Sequence, residues 1–370
     1  MTDGQLLLAV FTAFYLVECL HWLPLHSVVL HTWTSHFGWA ASHPSRLVSA
    51  GGKGLAMAWP LPPLGSLLVA ESWPVIPDAQ GVWIGAGQLH EGRRLEWNTI
   101  DPRLDQRTVN VTADAKVQCA SRRSAERLME FLRKVAAQPE EQRPLILAEF
   151  WQSSLSIPRA RSAVRQYRIA SSALRLPCLT VFFMCFVYMP LLFWRFGGSP
   201  WRLLVGVASL LAMTAWVAFI WRHLALRLFP DSKRRRWPEM LHLICIPAHA
   251  IRAHDLIGAE ALDGLHPLAA AAAVLNPESF ESFAAQTWLA WKFRHGSDTL
   301  LPATAIVLPH LEACCRRLGI PTARLEAPPV QQGNAASYCP RCHAQFSLAH
   351  AACGQCGDIT TLNWPAVTAE

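Results

Sequence analysis

No HExxH and no GxSxG motif occurs in the 370 residues, which leaves out the helical zinc-protease pair and the strained serine elbow. The glycine-rich stretches supply no nucleotide site either. Gly51-Gly52-Lys53-Gly54 lacks the spacing and the Ser or Thr of a phosphate-binding loop, and Gly85-Ala86-Gly87 is too short for a dinucleotide fingerprint. Residues 1–5 carry no Lys or Arg ahead of the first apolar run, so a secretory signal peptide is not expected there. Eleven cysteines in a chain of this length do not make a small secreted disulfide scaffold. Cys19, Cys119, Cys178, Cys185, Cys245, Cys314 and Cys315 lie mostly in apolar or helical contexts, where Cys packs as a small hydrophobe. That usage fits a reducing compartment.

What the chain does have is long apolar runs, within a composition that is 52% apolar. Residues 178–196 and 203–220 hold no charged side chain apart from Arg195, and Arg202 precedes the second run. About 18–20 apolar residues at 1.5 Å rise cross the ~30 Å hydrocarbon core of a bilayer. Residues 178–222 are therefore expected to form a transmembrane hairpin turning at Gly197-Gly198-Ser199-Pro200, with Arg195 and Arg202 snorkelling to headgroups. Residues 6–23 form a third run of spanning length, and segment 1–24 is expected to be a first transmembrane helix. Glu18 is its only charge, and His21 and Trp22 suit an interface. The competing expectation is an amphipathic segment lying in the interface.

The net charge of +7 follows this topology better than it follows nucleic acid. Arg159, Arg161, Arg165, Arg168 and Arg175 precede the hairpin, and Arg222, His223, Arg227 and Lys233-Arg234-Arg235-Arg236 follow it. Basic flanks at both outer ends place those ends in the cytoplasm and the turn outside. With three crossings the N-terminus is external. The Lys233, Arg234, Arg235 and Arg236 cluster also reads as a lipid-surface site, since each charge near anionic lipid is worth ~1 kcal/mol.

Between the apolar runs the pattern changes. Residues 25–137 contain short stretches rich in Val, Trp, Ile and Thr, punctuated by Gly, Pro, Asn and Asp, as in an antiparallel β-rich module. At its end, residues 121–137 place Ala125, Leu128, Met129, Phe131, Leu132 and Val135 towards one face of a helix, with Ser121 or Ser124 as N-cap. Strands at 81–85, 95–100 and 108–112 followed by this helix resemble a pleckstrin-homology-like domain over residues 81–137. Residues 138–177 read as a basic helical juxtamembrane segment and 223–320 as a cytoplasmic helical region. Within the latter, Asn276-Pro277-Glu278 supplies a helix start. Residues 321–337 read as a linker, and 361–370 as a tail.

The strongest local chemistry is Cys339-Pro340-Arg341-Cys342 and, ten residues on, Cys353-Gly354-Gln355-Cys356. Two CxxC knuckles supply four thiolates for a tetrahedral Zn²⁺. The stretch resembles the zinc-ribbon family over about residues 338–360. Four Cys ligands leave no open coordination position, so this zinc is expected to be structural. Its binding, at ~10–16 kcal/mol apparent free energy, would drive folding of a segment with too little core of its own. His343 and His350 lie inside the loop as surplus ligands. The loop between the knuckles otherwise holds one aromatic and no Lys or Arg, which favours a protein contact over nucleic acid.

Two further patterns carry less. His21, His26, His31 and His36 recur every five residues, a step that turns about 140° on a helix and alternates faces on a strand. Glu18 and His21, at i,i+3, form a pair at the edge of an apolar run, while His254-Asp255 marks the polar face of a helix. The expected fold is thus an integral membrane α-helical protein with a β-rich α+β cytoplasmic module, a cytoplasmic helical region and a C-terminal zinc ribbon. It is expected to lie in the cell membrane (plasma or inner), multi-pass, with its C-terminus in the cytoplasm. Membrane lipids and a protein partner docked by a non-catalytic scaffold are the expected contacts. The alternatives are a membrane enzyme or transporter component using Glu18 and His21, and a membrane-tethered nucleic-acid binder.

Overall fold

The computed structural model describes residues 2–24, 26–32, 39–42, 49–50, 53–57, 63–71, 75–84, 93–196, 199–230, 236–292, 302–321, 325, 327, 333–340, 344–349, 351–354 and 359–364. In chain order the elements begin with α1 (Asp3–Glu18), β1 (Leu20–Pro24), β2 (Ser27–Thr32), β3 (Trp39–Ser42), β4 (Ser49–Ala50), β5 (Lys53–Met57) and β6 (Ser66–Glu71). Next come β7 (Val75–Pro77), β8 (Gly81–Ile84), β9 (Arg93–Glu96), β10 (Arg103–Asp105), β11 (Thr108–Asn110) and β12 (Lys116–Gln118). A helical stretch follows: α2 (Arg122–Ala136), α3 (Arg143–Ser154), α4 (Ile157–Phe183), a π turn (Met184–Tyr188), α5 (Met189–Phe196) and α6 (Pro200–Leu228). It continues through α7 (Arg236–Cys245), α8 (Pro247–Ile251), α9 (Ala253–Ala261), α10 (Pro267–Val274), α11 (Pro277–Lys292) and α12 (Pro302–Arg317). The chain closes with β13 (Ser337–Tyr338), β14 (Gln345–Phe346), β15 (Ala352–Cys353), β16 (Ile359–Thr360) and β17 (Leu362–Asn363). Contacts divide it into two units: Met1–Glu71 with Cys119–Ser124 and Arg159–Gly264, and Ser72–Gln118 with Ala125–Pro158 and Leu265–Glu370.

The first unit holds the long apolar helices. Ile157–Arg195 and Pro200–Leu228 are each long and apolar enough to cross a membrane. Of the 18 most apolar consecutive residues in each, 28% are buried, whereas a core helix of a soluble domain would be buried for most of that length. Phe183, Val187, Leu191 and Trp194 face outward from the first, and Leu204, Val207, Leu211 and Phe219 from the second. The π turn at Met184–Tyr188 precedes Pro190, which has no N–H for a carbonyl four residues back and whose ring crowds that carbonyl. Widening the ladder by one residue relieves both problems.

α1 starts on a capping box, with Thr2 Oγ1 accepting from Gln5 N–H and the Gln5 side chain accepting from Thr2 N–H. It runs antiparallel to the first long helix. Gly4 packs so closely that a Cβ would lie 2.6 Å from the Pro190 carbonyl oxygen. At the other end, the Tyr15 ring meets Phe182 and Phe186 edge-on at 6.0 and 5.5 Å. Leu6, Val10, Phe14 and Val17 face outward, so α1 extends the apolar surface.

The apolar run 6–23 does not form the single transmembrane helix expected for it. α1 stops at Glu18, and Leu20–Pro24 is a strand paired antiparallel with β5 from Leu20↔Met57 to Pro24↔Lys53. Leu23 leaves the helix because it has a core to enter, packing with Val29, Leu67 and Val69. The 16 residues of α1 span about 24 Å at 1.5 Å each. That core belongs to the sheet β3-β2-β6, in which β2 and β6 are antiparallel from Ser27↔Glu71 to Thr32↔Ser66. α9 lies against β6, where a Cβ on Gly258 would overlap the Leu67 carbonyl oxygen. Gly258→Val should therefore cost at least the ~1–3 kcal/mol of ordinary overpacking, because the obstacle is backbone. The purified protein should show a clearly lowered melting midpoint or fail to fold.

Among the described residues, the second unit carries three three-stranded sheets, β7-β8-β9, β10-β11-β12 and β14-β13-β17, and the strand pair β15-β16. The β-rich region expected over 25–137 is thus divided, with residues up to 71 in the first unit and 72–118 in the second. The strands expected near 81–85 and 108–112 are β8 and β11, while 95–100 combines the end of β9 with a short 3-10 turn. α2 starts as its sequence indicates: Ser121 Oγ accepts from Ser124 N–H at 3.0 Å, and Ala125, Leu128, Phe131, Leu132 and Val135 are buried. Asn276 Oδ1 likewise accepts from Ser279 N–H at 2.7 Å to cap α11. The segment read as a linker lies largely outside the described residues, but Leu325 within it is fully buried.

A candidate metal centre and a buried charge cluster

In the first unit the end of α1 meets two short helices. Pro247 separates α8 from α7, and the turn at Arg252 separates α8 from α9. These breaks bring His249, Arg252, His254 and Asp255 to one place. Glu18 Oε2 is 2.9 Å from His249 Nδ1, and the His249 ring lies 5.7 Å from that of His242. Arg252 donates to His21 Nε2 and to Asp255 Oδ2 at 3.2 Å. His254 Nε2 donates to the Gly65 carbonyl at 2.8 Å and lies 3.3 Å from Asp255 Oδ1. Glu18 and His21, paired with each other by spacing, thus have different partners, each supplied by a segment more than two hundred residues away. His254 and Asp255, expected on a polar face, are both 2% exposed. The correction has a simple cause, since each finds its polar partner inside the unit.

Burial and the neighbouring Arg252 charge hold His21 down to about 4. An unfolded His takes its proton near ~6.5. The contribution of neutral His21 to stability is therefore complete above that pH and is lost as the pH falls towards 4. Thermal unfolding in detergent should show a midpoint that drops over this window, and His21→Gln should flatten the drop.

The remaining spaced histidines do not join this cluster. His26 Nε2 pairs with Glu71 Oε1 at 2.8 Å, and His31 sits half-buried in β2. His36 lies outside the described residues. Glu71 also accepts the Ala120 N–H at 3.0 Å and the Ser124 hydroxyl at 2.5 Å.

Arg236, expected at the lipid surface, is instead 2% exposed. Its guanidinium meets Glu239 and Glu260, each at 2.8 Å, and lies over the Trp221 and Phe229 rings at 5.5 and 5.3 Å. The two carboxylates outweigh burial and hold its proton more tightly than usual. The planar guanidinium suits this site because it meets two carboxylates and lies over two rings at once. Lys233, Arg234 and Arg235 lie outside the described residues.

The second unit contains a metal-type group that local sequence reading missed. His266 caps α10: its Nδ1 accepts from Leu268 N–H at 3.2 Å, and its own N–H donates to the Ser154 carbonyl at 2.9 Å. His310 and Cys314 lie one turn apart on α12, with Cys314 Sγ 3.7 Å from His310 Nε2. The ligand atoms of all three lie within 4.8 Å of one another. Two ligands on a tetrahedral zinc, at ~2.05 Å for N and ~2.3 Å for S, stand about 3.4–3.6 Å apart. The His310–Cys314 pair therefore already has the needed separation. Burial pushes His266 down to about 3 and His310 to about 4, so both imidazoles are neutral at pH 7 and keep a lone pair. Burial also pushes the Cys314 thiol up to about 12, so its proton leaves only if a cation replaces it. The signal available in the sequence was His-x-x-x-Cys at i,i+4 in an expected helix.

Of the four cysteines expected to form a zinc ribbon, Cys339 and Cys353 are buried, at 0% and 1% exposure. Cys339 follows β13, and its N–H donates to the Ala344 carbonyl at 2.9 Å. Cys353 ends β15, which pairs with β16 through Cys353↔Ile359. Cys342, His343, His350 and Cys356 lie outside the described residues. Among the described residues the fold is therefore mostly helical with small antiparallel sheets, two helices long enough and apolar enough to cross a membrane, and one His-His-Cys group that could hold a metal ion. Comparison with known proteins finds no matching family model, no similar curated protein and no similar solved structure.

Proposed function

We propose that this is a non-catalytic, multi-pass membrane protein that presents a zinc-held C-terminal segment to a protein partner on the cytoplasmic side of the cell membrane. The observation that carries the membrane part is the outward-facing apolar surface of α1, the Ile157–Arg195 helix and α6. Lipid is the solvent that such a surface fits, and in water it would exceed what a monomer leaves exposed. α1 runs antiparallel to the first long helix, which supports an N-terminus on the same side as the 197–200 turn.

The docking part rests on the C-terminal strands. β13 pairs with both β14 and β17, and β15 pairs with β16, so each CxxC is bracketed by an antiparallel strand pair. This supports the zinc-ribbon reading, with Cys339, Cys342, Cys353 and Cys356 holding a structural Zn²⁺. Leu348, between β14 and β15, is 71% exposed in a loop without Lys or Arg, and it fits an apolar protein contact.

The test is a photocrosslinking amino acid at position 348 of the full chain in native membranes. One discrete protein adduct is expected, lost on zinc chelation and in Cys353→Ser. An adduct indifferent to zinc, or none at all, contradicts the docking role.

A further inference from the structure

We propose that His266, His310 and Cys314 form a second zinc site, separate from the four-cysteine cluster and open at one coordination position. Three independent features converge on it. The first is geometric: His310 and Cys314 occupy one face of α12 at i,i+4, and the 3.7 Å between Nε2 and Sγ is close to the spacing two ligands take on one tetrahedral zinc. The second is chemical: two imidazoles and one thiol are a borderline-soft donor set that suits Zn²⁺ and excludes Mg²⁺ and Ca²⁺, which take oxygen. The third is placement. His266 is fixed by its backbone bond to Ser154 and by the start of α10, and the His310 ring is held by the Trp151 ring at 4.6 Å. Rigid neighbours of this kind hold metal ligands in register.

The binding step balances simply. Zn²⁺ enters, the Cys314 S–H bond breaks, a Zn–S bond forms, and the proton leaves to bulk water. At His266 the Leu268 N–H loses its acceptor in either binding mode: an ion on Nδ1 displaces it directly, and an ion on Nε2 requires the ring proton to move from Nε2 to Nδ1. Three protein ligands leave the fourth position to water or an added ligand, unlike a closed Cys₄ site. The site does not depend on the membrane or docking proposals.

The experiment uses the full chain in detergent with all four ribbon cysteines, Cys339, Cys342, Cys353 and Cys356, replaced by Ser, and Co²⁺ as the probe. About one Co²⁺ per chain is expected, with tetrahedral d–d bands and a charge-transfer band of single-thiolate intensity. Cys314→Ser should abolish the charge-transfer band. His266→Asn tests the ligand without losing the helix cap, because Asn also caps, and it should lower Co²⁺ affinity by at least about tenfold. In the chain with native ribbon cysteines, His310→Gln should remove one zinc and leave the other, which reports that the variant folds. The proposal is overturned if the ribbon-less chain binds no Co²⁺, if the Cys314→Ser spectrum is unchanged, or if His266→Asn binds Co²⁺ as tightly as its parent. A ribbon substitution that leaves the metal content unchanged would count against the ribbon instead.

Discussion

Replacing Asp255 with Ala is expected to destabilise the first unit by about 3–5 kcal/mol, the cost of leaving one member of a buried ion pair unopposed. Arg252 is 4% exposed and Asp255 2%, so water cannot take over the role of the lost carboxylate. His21 is the other Arg252 partner in the cluster, and a neutral imidazole does not compensate a guanidinium. Removing both charges together should cost much less. Arg252→Met with Asp255→Leu is expected to recover most of the loss, since apolar replacements of similar volume are often neutral or stabilising. A chemical-unfolding series in detergent on the parent, Arg252→Met, Asp255→Leu and their double variant, with Asp255→Ala beside them, measures both effects, and the coupling between the two sites follows directly.

Placing a charge on the outward face of α6 is the second large perturbation, and it separates two accounts of that face. Leu211 is 45% exposed and lies near the middle of the apolar run. If that face meets water, Leu211→Arg is a surface change worth no more than about 0.5 kcal/mol. If it meets lipid, Arg at mid-span costs about 2.5–3.5 kcal/mol on insertion scales, roughly a hundredfold in the inserted fraction. Quantitative recovery of folded protein in washed membranes, compared with Leu211→Ala, reads the difference. Thr214 offers no such contrast, because it is buried and donates to the Ile244 carbonyl at 2.9 Å.

How far the fold was legible varied with the range of the interactions involved. The caps at Ser121 and Asn276 were legible because a cap is settled within four residues of chain. The two long helices were legible because length and hydropathy are themselves the physical cause. The end of α1 was not. Leu23 satisfies a helical apolar run and a buried strand position equally well, and only β5 and the core around Val29 and Leu67 decide between them. Arg236 was misplaced for the same reason, since a run of basic residues carries no sign that Glu260 waits on another helix. The site residues follow this rule. Cys339 and Cys353 stand out in the sequence through short-range spacing alone, while His266 stands alone at the head of an Ala-rich helix and meets His310 and Cys314 only where the fold sets α12 beside it. The link between Glu18 and His249 likewise exists only in three dimensions.

The central claim is that lipid solvates the apolar faces of α1, the Ile157–Arg195 helix and α6. Flotation of the full chain through a density gradient after alkaline carbonate washing tests it most directly. The protein is expected to rise with the vesicles and to leave them only in detergent. A chain that stays at the bottom of the gradient as a soluble monomer, with no detergent present, would contradict it.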